Sequence, residues 1–179
     1  MAEALRRPAL GPEIGSFGAS FGLRALEPCG RWSFRAKSPP ARLAGFALDL
    51  AINRFSRNGA LVAARLGPDE FLLLAPEDAP VAADIAAAMG ARFHALVDIG
   101  HRNAALELSG AAAAQVLNAG CPLDLEAAAF PQGMATRTLL GRIEIVLMRE
   151  DAQRWRLECG RSFAPYARDF LREAAAGLA

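Results

Sequence analysis

Lysine is almost missing from this chain: of its 20 cationic residues only Lys37 is a lysine. A P-loop needs a lysine behind a glycine-rich turn, and Lys37 has neither the glycine nor the loop, which excludes phosphate cradling of that kind. No G-x-G-x-x-G follows a strand-like run, so FAD or NAD binding in the Rossmann manner is excluded as well. Cysteine is scarce: Cys29, Cys121 and Cys159 are odd in number, form no C-x-x-C pair and read as reduced thiols in a cytoplasmic protein. Together with only two histidines, His94 and His101, they offer no recognisable zinc spacing. No uninterrupted apolar run reaches the roughly 18 residues of a spanning helix. Residues 1–10 carry Arg6 and Arg7 without the apolar stretch of a secretory leader. Net charge is only +1 and the arginines are scattered, so no strong field steers the chain toward nucleic acid or an anionic membrane.

What is present is a globular composition. The 179 residues are 53% apolar and 22% charged, which suits one large domain or two small, closely packed halves with a core that needs no disulfide or metal. Residues 1–22 hold Gly11, Gly15, Gly18 and Gly22 with Pro8 and Pro12, and read as a glycine-rich N-terminal arm without regular structure of its own. Residues 23–179 read as a single α+β domain of two closely packed halves.

Within that domain, period-two alternation predicts strands. Arg31–Arg35 places Trp32 and Phe34 on one face. The apolar run 60–66 and Phe71–Leu74 flank Gly67-Pro68-Asp69-Glu70, a type I turn with Pro68 and Asp69 at its centre. Val81, Ile85 and Met89 recur at i, i+4 and i+8 and stop at Gly90, which predicts a helix. Two apolar stretches follow, 95–99 and 104–108. Ser109 is the expected cap of a short helix through Asn118, ended by Gly120 and Pro122. Ile143, Ile145 and Leu147, then Trp155 and Leu157, mark two half-buried antiparallel strands. Ser162 is the expected cap of a last helix whose stripe is Phe163, Tyr166, Phe170, Leu171 and Ala174. Helices separated by strand pairs imply α+β architecture, with helices on one face of antiparallel sheets in ferredoxin-like split units.

No catalytic centre assembles from these elements. Gly18-Ala19-Ser20-Phe21-Gly22 matches the G-x-S-x-G nucleophile elbow formally, but lacks the buried strand before it and the helix after it. His94 reads as a partly buried ring, His101 as a turn residue, and Cys121 as a small core residue without a placed base. Asp69 with Glu70, and Asp124 with Glu126, sit where turns and helix starts want acids. No catalytic, cofactor-binding or metal-ligating residue is assigned, and a binding module or assembly subunit is the expectation.

A longer ordered set of segments carries a resemblance. Gly67–Leu74, Val97-Asp98-Ile99-Gly100-His101-Arg102, Leu106–Gly110, Gly120-Cys121-Pro122-Leu123-Asp124-Leu125, Phe130-Pro131-Gln132-Gly133, Thr136-Arg137-Thr138 and Arg161-Ser162-Phe163-Ala164 resemble the gamma subunit of heterotetrameric sarcosine oxidase, across residues 59–176. The resemblance implies the fold of the aminomethyltransferase folate-binding domain. It further implies a small assembly subunit, without its own catalytic centre, of a cytoplasmic oxidoreductase that demethylates sarcosine to glycine. Alpha, beta and delta subunits are the implied partners, carrying FAD, FMN, NAD and zinc, with tetrahydrofolate a candidate ligand of the complex and no nucleic acid or membrane involved. A freestanding folate-binding, aminomethyltransferase-like protein and the equivalent subunit of N-methylglutamate dehydrogenase are the alternatives.

Overall fold

A computed structural model describes residues 8–11, the backbone of 13–17, and residues 20–178. In chain order these form β1 (Glu13–Phe17), β2 (Phe21–Ala25), β3 (Gly30–Arg35), β4 (Arg42–Leu43), β5 (Phe46–Ala47), β6 (Arg54–Asn58), β7 (Leu61–Arg65) and β8 (Glu70–Ala75). There follow α1 (Val81–Met89), β9 (Ala95–Asp98), β10 (Asn103–Ser109), α2 (Ala113–Asn118), β11 (Ala135–Leu140), β12 (Ile143–Arg149), β13 (Arg154–Gly160) and α3 (Ala164–Ala176).

Alternation along the strands decides how these elements stack. Trp32 and Phe34 of β3 and Phe71 and Leu73 of β8 point one way, and Val81, Ile85 and Met89 of α1 close over them. Leu106, Leu108, Ile145, Leu147, Trp155 and Leu157 do the same on a second sheet, under α2 and α3. Burying side chains of this size is worth about 1.5–3 kcal/mol each. The two sheets then turn their remaining faces to each other, joining Val62, Ala64, Leu72 and Leu74 to Ala135, Val146 and Met148 in a third core. The result is four layers: helices, a six-stranded sheet ordered β1-β2-β10-β13-β12-β11, a five-stranded sheet ordered β6-β7-β8-β3-β9, and helix α1.

All the pairings are antiparallel, and the α+β class with helices on one face of each sheet holds. The five-stranded sheet contains a split unit, because β8 and β9 both run antiparallel to β3 between them while α1 connects them. The sheets are stitched at one edge by Asn53, whose backbone bonds Arg65 and Ala135 and whose side-chain oxygen accepts from the Thr136 hydroxyl at 3.1 Å. Among the described residues no helix is long and apolar enough to cross a membrane.

Four local expectations are corrected. Residues 13–17 and 21–22, read as irregular arm, lie in strands: β1 pairs β2, and β2 pairs β10, so glycine-rich backbone gains regular structure from a neighbouring ladder. Ser109 is the last residue of β10 rather than a cap, and α2 begins at Ala113 with no side-chain cap. Gly110 makes the turn between them at φ +101°, with the Ser20 carbonyl against its Cα, a conformation and a space closed to a Cβ. Helix α3 follows a 3-10 turn at Arg161–Phe163, Ser162 does not cap it, and it buries Ala164, Ala167, Leu171 and Ala175. Alanines let it lie close on the sheet, which pushes Phe163 and Tyr166 to an exposed rim. Finally, the strands at 143–149 and 154–160 are not half-buried: the second sheet covers Val146, Met148 and Glu158 on their other face.

Candidate functional site

Between the two sheets, where β10 begins and β13 ends, lies a cavity of about 320 Å³. Each sheet contributes the side chains opposite its helix-facing row: Ser33 from β3, Glu70 and Leu72 from β8, Arg137 from β11, Glu144 and Val146 from β12, and Glu158 from β13. Ile99, Arg102 and Asn103, between β9 and β10, complete one wall, and Phe163 stands at the rim. The volume falls at the lower end of small-ligand sites.

Its back wall is a buried ion cluster. The Arg31 Nε donates to Glu158 Oε2 at 2.7 Å, and the Arg156 Nε donates to Glu158 Oε1 at 2.8 Å. The side chains of Arg31 and Glu158 are 2% and 0% exposed. Arg31 sits on one sheet and Glu158 on the other, so this pair locks the sheets in register. Burial works against the charge of Arg156, but the Glu158 carboxylate, with Cys29 and Glu150 adding to it, holds the guanidinium above its ordinary pKa. A second arginine braces the fold elsewhere: Arg149 lies over the Trp155 ring, 4.8 Å from its centroid, and donates to the Leu125, Phe130 and Ala152 carbonyls. The opposite cavity wall is a surface network in which Glu70 accepts from Arg137 at 2.7 Å, and that hydrogen bond raises the Arg137 pKa.

The outer surface offers a different feature. Phe93 is 99% exposed, two residues before β9, which is the last strand of its sheet and has Val97 exposed. The Ile99 N–H donates inward to Arg31, so by alternation the backbone groups of Leu96 and Asp98 face the open edge.

The residues weighed in the sequence do not converge. Ser20 lies in the turn between β1 and β2, a hairpin rather than a strand-to-helix elbow, and Gly18 and Ala19 lie outside the described residues. His94 is half-buried with its Nδ1 2.8 Å from the Arg92 carbonyl, while His101 is exposed in a turn. Cys121 is buried, 3.9 Å from the Thr138 hydroxyl. The Asp124 carboxylate accepts from the Glu126 N–H, and Asp69 accepts from Arg35 at 3.0 Å, both local structural roles. Only Glu70 of this set reaches the cavity. Missed were Arg31, Glu158, Arg102 and Asn103; the signal was the polar residue at every second position beside Trp32, Phe34, Trp155 and Leu157, which belongs to a covered face here.

Two facing antiparallel sheets, each with helices on its outer face, define a fold class shared with aminomethyltransferase T of the glycine cleavage system from Bartonella henselae, at a TM-score of 0.63 and 18% identity over 86% of this chain and 45% of that one. A chain of the heterotetrameric sarcosine oxidase from Corynebacterium sp. U-96, solved with pyrrole 2-carboxylate, is more similar: TM-score 0.79 and 28% identity over 88% of this chain and 84% of that one. Residues 40–177 match the family model of the sarcosine oxidase gamma subunit, and the chain belongs to that family. Among its relatives are the sarcosine oxidase gamma subunits of Corynebacterium sp. (strain P-1), 40% identical over 109 residues, and of Arthrobacter sp., 42% identical over 90 residues. Those alignments cover 61% and 50% of this chain, and the chain spans about half the length of these relatives, 54% and 44%.

Proposed function

We propose that this chain is the gamma subunit of a heterotetrameric sarcosine oxidase and serves its assembly rather than its chemistry. The observation that carries the reading is the likeness, over most of both chains, to a chain of the solved heterotetrameric enzyme. In this reading the larger alpha and beta subunits hold FAD, FMN and NAD, and the delta subunit holds zinc. The complex oxidises the N-methyl group of sarcosine, releasing glycine and passing the electrons to dioxygen as hydrogen peroxide. The methyl carbon leaves as formaldehyde or as methylene-tetrahydrofolate, in the cytoplasm.

The contribution of this chain is a rigid body. Its two sheets are locked by Arg31 and Glu158, and it presents Phe93 with the open edge of β9 to an extended segment of a large partner subunit. Co-expression with the neighbouring reading frames, followed by size exclusion with mass detection, should recover it in one stoichiometric complex with sarcosine-dependent peroxide formation. Phe93→Ser should leave the chain as stable as before, since the ring touches solvent, and lower its retention in that complex. A chain that elutes alone while its neighbours oxidise sarcosine without it would overturn the reading. N-methylglutamate in place of sarcosine as the active substrate would assign it to the other enzyme.

A further inference from the structure

The inter-sheet cavity is lined in part by polar side chains that the fold does not use. Ser33, Arg102 and Asn103 all line it, and among the described residues none of their side chains has a hydrogen bond or ion pair. Every other charged side chain in the lining is partnered: Glu70 with Arg137, Glu144 with Arg137, and Glu158 with Arg31 and Arg156. The lining carries Glu70, Glu144 and Glu158 against Arg102 and Arg137, and Arg31 and Arg156 behind Glu158 bring these groups to four guanidinia against three carboxylates, a positive balance of the same sign as the unpaired Arg102. Leu66, Leu72, Ile99, Val146 and Phe163 supply an apolar flank to the same space. A pocket of this kind recognises an anionic head by a free guanidinium, an amide and a hydroxyl, and an apolar body by the flank.

We infer that this cavity is a binding site for a small monocarboxylic acid with a compact apolar body, its carboxylate on Arg102, Asn103 and Ser33. The acid's body lies against the Ile99 and Val146 side chains of the same lining. Neither the assembly role nor the identity of the partner subunits is needed for this inference, and its test is separate from theirs.

The probe is 4-phenylbutyrate, with 4-phenylbutanamide as its uncharged match, titrated into the full chain by calorimetry and followed by amide shifts in NMR. For a molecule of this size the expected dissociation constant is on the order of 0.1–1 mM. The amide should bind about tenfold more weakly, as expected for loss of one charged hydrogen-bonding partner. Arg102→Gln, an exposed position whose replacement leaves the core intact, should weaken the acid about tenfold and leave the amide unchanged. Amide shifts should concentrate at residues 33, 99, 103 and 146. Equal binding of acid and amide, shifts elsewhere on the surface, or no saturation by the acid at about 10 mM would each overturn the inference.

Discussion

Glu158→Gln should cost this chain about 3–5 kcal/mol of folding stability, the range for removing one partner of a buried pair. The figure follows from what is left behind. Glutamine fills the same volume, but the Arg31 guanidinium, 2% exposed, would then face an amide in place of the only carboxylate paired with it among the described residues. Arg156 loses less, because its side chain is 13% exposed and reaches water. In a chain of this length 1 kcal/mol moves the thermal midpoint by about 2–4 °C, so the variant should melt on the order of 10 °C earlier. Urea and thermal unfolding followed by circular dichroism measure both quantities. Replacing Arg31 together with Glu158, as Arg31→Met with Glu158→Leu, should recover part of the loss, since Arg31 then needs no compensation while Arg156 still lacks its carboxylate. A Glu158→Gln variant within 1 kcal/mol of the parent would refute the reasoning, because it would mean that water reaches the pair and the sheets are not locked by it.

Three other outcomes follow from the same structure. Gly110→Ala should destabilise by more than about 1 kcal/mol, read from urea midpoints, because φ is +101° and the Ser20 carbonyl occupies the place of the new methyl. The Cys159 thiol is pushed up by burial, from 9.0 to about 12. The unfolded chain therefore loses this proton first. Stability on this account is full below about pH 9 and falls as pH rises toward 12, with a limiting slope of about 1.4 kcal/mol per unit. Cys159→Ala should flatten that part of the stability profile. At pH 8 iodoacetamide should modify the half-buried Cys29 well before Cys159, as peptide mass mapping would record.

How much of this was readable in the sequence depends on the range of the interaction. Local alternation identified β3, β12 and β13, apolar runs on either side of the Gly67–Glu70 turn identified β7 and β8, and the i, i+4, i+8 stripe identified α1, because each of these signals lies within one element. Strand β6, with sequence Arg54-Phe55-Ser56-Arg57-Asn58, has no such pattern; it is a sheet edge held by pairing to β7 and by the backbone of Asn53 and Gly133. The strands β1 and β2 were equally hidden, since glycine-rich segments gain their order from β10, some eighty residues away. The cavity was hidden for a related reason. Arg31 and Glu158 read as solvent-facing partners of Trp32 and Leu157, and nothing local says that a second sheet covers them. The ordered segments from Gly67 to Ala164 carried the family, and the family match confirms it over residues 40–177.

If this chain works as one part of a larger enzyme, native mass spectrometry of the complex purified through a tag on it will show the other subunits at fixed stoichiometry. The expected result is one copy of the chain in a single heterotetramer that forms peroxide from sarcosine, and loss of that assembly when the chain is withheld. A tagged chain recovered only by itself, with sarcosine oxidation undiminished in the fraction that lacks it, would rule out a role in that assembly.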